Sequence, residues 1–292
     1  MYQNILVPMD GSPLAEVVLP YVYELCTRFS PKVTFLHVCQ SSESAFMCEA
    51  YIERLVETAE RKVKAAKGNI KAVTVPGNVP EQILDQADKA ASDLILMAAH
   101  GYSGRGDWML GSVAHKVIAS SRAPVLVVRE QLPDRAGGWP QNAIVPLDGS
   151  SLSESVLPHV VSMAKTGVAI TLLRVCEPPV LLADYPDSVM PEGWDDHVKL
   201  AKRSAENACS VYLGDVVRER LQKEGVKADS TVVLADRAAD GIIEHISRDP
   251  SALVVMSTHG RSGFSRWPYG HVTDRVVLAS KNPVLLIRPR KR

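Results

Sequence analysis

NILVPMDGSPLAEVVLPYV, residues 4–22, and NAIVPLDGSSLSESVLPHV, residues 142–160, are one pattern written twice. Each opens on an apolar run of strand length, breaks at a Pro-x-Asp-Gly-Ser turn, and continues with apolar residues at helical spacing. Further matches follow in the same order. TFLHV from Thr34 pairs with TLLRV from Thr171, HGYSG from His100 with HGRSG from His259, and PVLVVR from Pro124 with PVLLIR from Pro283. Ordered self-similarity of this kind marks a duplicated structural unit. The offset is 138 at Asp10/Asp148, 137 at Thr34/Thr171 and 159 at His100/His259, so copy two carries 22 extra residues between its second and fourth strands.

Within copy one, strands are expected over Ile5–Pro8, Lys32–Cys39, Ile70–Val75, Asp93–Ala98 and Pro124–Arg129. Helices are expected over Leu14–Phe29, Ser44–Lys67, Pro80–Ala91 and Gly111–Ser121, the first with Ser12 as N-cap and Pro13 as first helical residue. Strands alternating with helices imply right-handed crossovers and a parallel sheet covered on both faces. The expected fold is therefore α/β: two tandem doubly wound domains, over 1–132 and 141–292, joined by a linker at 133–140. That linker lies within EQLPDRAGGWPQ, residues 130–141, which carries two prolines and a glycine pair.

Composition narrows the function. The chain has 292 residues, 46% hydrophobic and 23% charged, as a globular protein of two ordinary domains should. Lys+Arg and Asp+Glu are both 33, so no net field draws it to nucleic acid. No uncharged apolar run approaches the ~18 residues of a membrane span, and the N-terminus has no signal-peptide pattern, so a cytoplasmic protein is expected. The 5 cysteines (26, 39, 48, 176, 209) include no CxxC and read as reduced thiols and small core residues, not a disulfide frame or a zinc site.

AAHGYSGRGDWMLGSVAHKV, residues 98–117, sets Gly101, Gly104, Gly106 and Gly111 within eleven positions and then enters a helix. In open parallel sheets ligands sit beyond the carboxyl ends of the strands, where the strand order reverses. With order 3-2-1-4-5 the reversal lies between strands one and four, so this loop faces the Pro8–Ser12 turn across one crevice. Bare backbone, a helix N-terminus and the Ser112 hydroxyl suit a phosphate. A glycine-rich turn with Ser112 as a plain N-cap is the alternative. There is no GxxxxGK[ST], and GRGDWMLG does not match GxGxxG, so neither a P-loop nor a dinucleotide fingerprint is present.

On ILVPMDGS, TFLHV, ILMAAHGYSG, MLGSVAHKV and APVLVVR, with their second-copy partners, the chain resembles the universal stress protein family twice over. The resemblance implies an adenine nucleotide alpha hydrolase-like fold with order 3-2-1-4-5. It implies binding of ATP, or ADP or AMP, together with Mg2+. The family's G-x2-G-x9-G-[ST] falls here on Ala98, Gly101, Gly111 and Ser112, with alanine for the first glycine. The resemblance implies a site of Pro8, Met9, Asp10, Val38, Met97, Ala98, His100, Gly101, Gly104, Gly111, Ser112 and Val113. Val38 would meet adenine through its backbone, Pro8 and Asp10 would lie along adenosine, and the loop with Ser112–Val113 would hold phosphates. The second site would be Pro146, Leu147, Asp148, Val175, Met256, Ser257, Gly260, Gly263, Gly270, His271 and Val272. It is the weaker one, because Ser257 and His271 depart from the motif and Pro268 removes an amide. The family's last strands pair between domains, which here would give a pseudo-dimer within one chain. Two chains could associate further.

Other residues carry two readings each. Asp10 and Asp148 are nucleotide contacts or N-caps. His100 and His259 are catalytic or hinges packed under the loop. His271 is a phosphate donor or a plug. Arg105, Arg261 and Arg266 are phosphate partners or solvated charges, and Trp108 and Trp267 pack the loops. Asp195, Asp196 and His197 read as solvated loop residues, and the stretch 177–198 as a lid, a subunit contact or a plain insertion. The expected function is a nucleotide-binding stress-response regulator without strong catalysis, acting through an unidentified protein partner. A slow ATPase and a non-nucleotide-binding scaffold are the alternatives.

Overall fold

A computed structural model describes residues 2–39, 45–101, 110–129, 139–177, 194–260 and 269–289. Copy one comprises β1 (Asn4–Pro8), α1 (Leu19–Phe29), β2 (Lys32–Cys39), α2 (Ala45–Lys62), β3 (Ile70–Pro76), α3 (Val79–Lys89), β4 (Leu94–Ala98), α4 (Ser112–Ser120) and β5 (Val125–Val128). Copy two repeats it with β6 (Asn142–Pro146), α5 (Leu157–Ala164), β7 (Ala169–Cys176), α6 (Trp194–Val216), β8 (Asp229–Leu234), α7 (Ala238–Ser247), β9 (Leu253–Ser257), α8 (His271–Ala279) and β10 (Val284–Ile287).

The ten strands among the described residues form one sheet in the order β3-β2-β1-β4-β5-β10-β9-β6-β7-β8. Each copy thus has the expected 3-2-1-4-5 order, parallel throughout. The two meet where β5 and β10 pair antiparallel, with Val284 opposite Val127, Leu285 opposite Leu126 and Leu286 opposite Val125. Alternation along the strands divides the core into two layers. Ile5 and Val7 point to the layer covered by α1, α2, α5 and α6, and Leu6 to the layer covered by α3, α4, α7 and α8. Each layer runs through both copies.

Helix one departs from the expected Leu14 start. Its first turn, Ala15–Val18, is a 3-10 turn, and the α-helix proper begins at Leu19. Pro20 has no N–H to bond the carbonyl four residues back, so the α-ladder cannot run through it. Pro158 imposes the same break on copy two, where a 3-10 turn at Ser153–Val156 precedes α5. Ser12 does cap this start, accepting from the Ala15 amide at 3.1 Å. Asp195, Asp196 and His197 lie in the first turn of α6, not in a loop; Asp196 and His197 are exposed, and Asp196 pairs with Lys199 at 3.6 Å. Of the stretch 177–198, residues 178–193 fall outside the described residues, as do linker residues 133–138. Among the described residues no helix is long and apolar enough to cross a membrane.

Side chains also tie copy one to copy two and to the residues leading into it. The Tyr2 hydroxyl lies 3.1 Å from His159 Nδ1 with the rings stacked, Phe29 meets Trp139 edge-on, and Arg288 donates to the Ala119 carbonyl at 2.8 Å. Burial lowers the pKa of His159. It also lowers His245 and His259, with help from Arg248 and Arg288 respectively. An unfolded histidine titrates near about 6.5, so on acidification the unfolded chain takes up these protons first. Stability from these groups is therefore complete above about pH 6.5 and is lost as pH falls from there towards the folded values. Thermal unfolding followed by circular dichroism should show the midpoint dropping between about pH 7 and about pH 5, and His159→Gln should flatten that slope.

Candidate functional site

At the carboxyl ends of β1 and β4 the chain leaves the sheet in two facing turns. After β1, Gly11 has φ 84°, a left-handed conformation that costs glycine little, and Asp10 Oδ1 accepts from the Ser12 amide at 2.9 Å. After β4, the Ala99 amide bonds the Val128 carbonyl at 2.7 Å, and the Gly111 amide returns to the Ala99 carbonyl at 2.9 Å. This second bond closes the long loop, so α4 starts directly above the strand it left. Gly101 lies so close to Asp10 that a Cβ there would overlap the carboxylate oxygen Oδ2.

Between the turns is a cavity of about 440 Å³. Its lining includes Pro8, Met9, Asp10, Val38, Met97, Ala98, His100, Gly101, Gly111, Ser112 and Val113. Gly104, Gly106, Arg105 and Trp108 lie outside the described residues. Ser112 is the first residue of α4, not its N-cap; Gly111 holds that place, and among the described residues no side chain caps it. The opening N–H groups of α4 have no preceding turn to bond and border the cavity at Ser112, Val113 and Ala114.

Copy two builds the same corner. Gly149 has φ 84°, Asp148 Oδ1 accepts from the Ser150 amide at 2.9 Å, and a Cβ on Gly260 would overlap Asp148. The cavity there is about 250 Å³, lined by Pro146, Leu147, Asp148, Val175, Met256, Ser257, Gly260, Gly270, His271 and Val272 among others. Gly263, Arg261, Arg266, Trp267 and Pro268 lie outside the described residues. Larger side chains account for the smaller space. Arg174 stands where copy one has His37, Ser257 where it has Ala98, and Thr273 where it has Ala114. They are also tied down. Ser257 Oγ donates to the His259 carbonyl at 2.6 Å, Thr273 Oγ1 to the Ser257 carbonyl at 2.9 Å, and Arg174 Nη1 to the Leu147 carbonyl at 3.0 Å. His259 is buried, with Nδ1 at 2.9 Å from Thr258 Oγ1. His271 is exposed at the cavity mouth rather than buried as a plug.

Several residues at these cavities are not expected there from the sequence, which reads Cys39 and Cys48 only as reduced thiols and small core residues. His37, Cys39 and Cys48 line the first, and Arg174 the second. The repeat held a signal for them. Cys39 and Cys176 end equivalent strands, and Cys48 and Cys209 both stand three residues before a tyrosine that bonds a matching glutamate. Tyr51 donates to Glu16 at 3.2 Å and Tyr212 to Glu154 at 3.0 Å. Burial, with Cys48 beside it, pushes the Cys39 thiol up to about 11, and Cys176 rises to about 11 in the same way.

These observations define a class: two doubly wound α/β units fused through their last strands, each with a crevice at the point where strand order reverses. The sequence profile of the universal stress protein family matches residues 1–129 and 140–288, and the chain belongs to that family. It is 31% identical to universal stress protein MJ0577 of Methanocaldococcus jannaschii over 157 residues, 45% of this chain and 97% of that one. A universal stress protein of Mycolicibacterium smegmatis is 22% identical over 306 residues, 98% of this chain and 97% of the relative. The crystal structure of a putative universal stress protein from Pseudomonas aeruginosa UCBPP-PA14 matches with TM-score 0.68 at 13% identity, covering 99% of this chain and 94% of the other. The tandem fold is therefore shared along the whole chain.

Proposed function

We propose that the chain is a nucleotide-binding stress-response regulator that holds ATP, or ADP or AMP, in the copy-one cavity without strong catalysis. The observation that carries this is the contact of Gly101 with Asp10 across a cavity of about 440 Å³, which is within the about 300–1,000 Å³ of small-molecule sites. In this reading Val38 meets the base through its backbone, Pro8 and Asp10 lie along the nucleoside, and Gly101, Gly111, Ser112 and Val113 receive the phosphates. The opening amides and positive end of α4 supply the attraction for those phosphates. The Asp10 carboxylate is exposed beside them, in keeping with a Mg2+ that arrives on the phosphates and keeps most of its waters. The copy-two cavity, narrowed by Arg174, Ser257 and Thr273, binds more weakly or not at all. Residues 1–132 and 141–292 act as the two domains. Titration calorimetry with Mg-ATP should give one tight site per chain; no heat from folded protein would defeat the proposal.

A further inference from the structure

A ring nitrogen of His37, Cys39 Sγ and Cys48 Sγ all lie within 4.8 Å of one another in the wall of the copy-one cavity. His37 and Cys39 stand two apart on β2, on the same side of the strand, and Cys48 reaches them from the first turns of α2. Nδ1 of His37 is shut off from solvent and, among the described residues, has no hydrogen-bond partner. A buried ring nitrogen without a partner is costly, and two thiols, weak donors and acceptors, do little to satisfy it. Copy two answers the same position differently. There a permanent guanidinium, Arg174, stands over the Tyr212 ring at 5.8 Å beside the Cys176 and Cys209 thiols. In copy one the equivalent ring, Tyr51, meets the edge of a neutral-capable imidazole instead, at 6.1 Å. One copy thus carries its own cation beside the thiol pair, and the other offers two sulfurs and a nitrogen.

We propose that His37, Cys39 and Cys48 form a binding site for a thiophilic divalent cation of the zinc class, with a fourth position open to the cavity. Imidazole and thiolate are the donors zinc prefers. With Zn–S about 2.3 Å, tetrahedral ligand atoms sit roughly 3.8 Å apart, so the trio closes by up to about 1 Å on binding. Binding converts both thiols to thiolates, and their two protons leave to solvent, so affinity rises with pH.

The test uses the full chain, kept reduced and titrated with cobalt(II) and with zinc alone. One equivalent of cobalt should give a thiolate-to-cobalt charge-transfer band in the near ultraviolet, and zinc should abolish it. His37→Gln and Cys48→Ser should each weaken zinc by more than about tenfold, read by competition with a chromophoric chelator. Cys209→Ser should leave affinity unchanged. Folding of each variant is checked by circular dichroism. The absence of a cobalt band in folded wild-type protein would overturn the proposal. So would zinc binding that survives both copy-one variants, or that disappears with Cys209→Ser. None of these readouts requires nucleotide, so failure of the nucleotide proposal and failure of this one are separable.

Discussion

Replacing Gly101 with valine should lower the affinity for Mg-ATP by on the order of 100-fold, about 2.7 kcal/mol, while the unfolding midpoint moves little. No left-handed backbone angle is at stake here; the effect is spatial. A Cβ at 101 overlaps Asp10 Oδ2, and the other carboxylate oxygen is held by the Ser12 amide at 2.9 Å. Asp10 can turn aside only by giving up that bond and loosening the turn after β1. Otherwise the loop after β4 must lift, carrying its amides away from the place the phosphates would occupy. Both adjustments happen at an exposed corner, so the core is spared. Gly260→Val produces the same collision with Asp148 in copy two and should barely change the affinity of the tight site. Calorimetry on the two variants decides the matter. Wild-type binding by a folded Gly101→Val protein would remove the crevice from consideration.

The largest effect on stability is expected at the seam. Leu126 is 1% exposed and faces Leu285, also 1% exposed, across the antiparallel pair. Leu126→Ala should cost about 2–5 kcal/mol through lost contacts and a cavity. Leu126→Asp adds an unpaired buried carboxylate and should cost more than about 4–5 kcal/mol, enough to unfold many domains outright. Because each apolar layer runs through both copies, the loss should be shared. Urea unfolding of the wild type should be a single transition, and the aspartate variant should lose both halves together. A variant in which one half keeps the wild-type midpoint would show that the seam contributes little.

The repeat made most of the fold legible. Once residues 4–22 and 142–160 are aligned, every strand of copy one is placed to within a residue or so, and β2 is placed at Lys32–Cys39 as expected. Helix boundaries were harder, because a proline one turn in decides whether the first turn is α or 3-10. Pro20 and Pro158 were visible, but their effect depends on the turn before them. Asp10 and Gly101 could be paired from sequence because strand order alone brings β1 and β4 side by side. The His37–Cys39–Cys48 cluster could not, since it depends on how α2 settles over the end of β2. The smaller copy-two cavity was half legible. Arg174 is plain in TLLRV, yet only its bond to the Leu147 carbonyl shows that it folds inward and occupies space.

The join of β5 to β10 has one more consequence. Two separate chains that met through these strands would part on dilution and would be bound to identical partners. Here the partner is covalently guaranteed, in a one-to-one ratio, at any concentration. Each crevice is therefore free to drift from its twin without spoiling assembly, and the exchange of His37 for Arg174 and of Ser112 for His271 is that freedom in use.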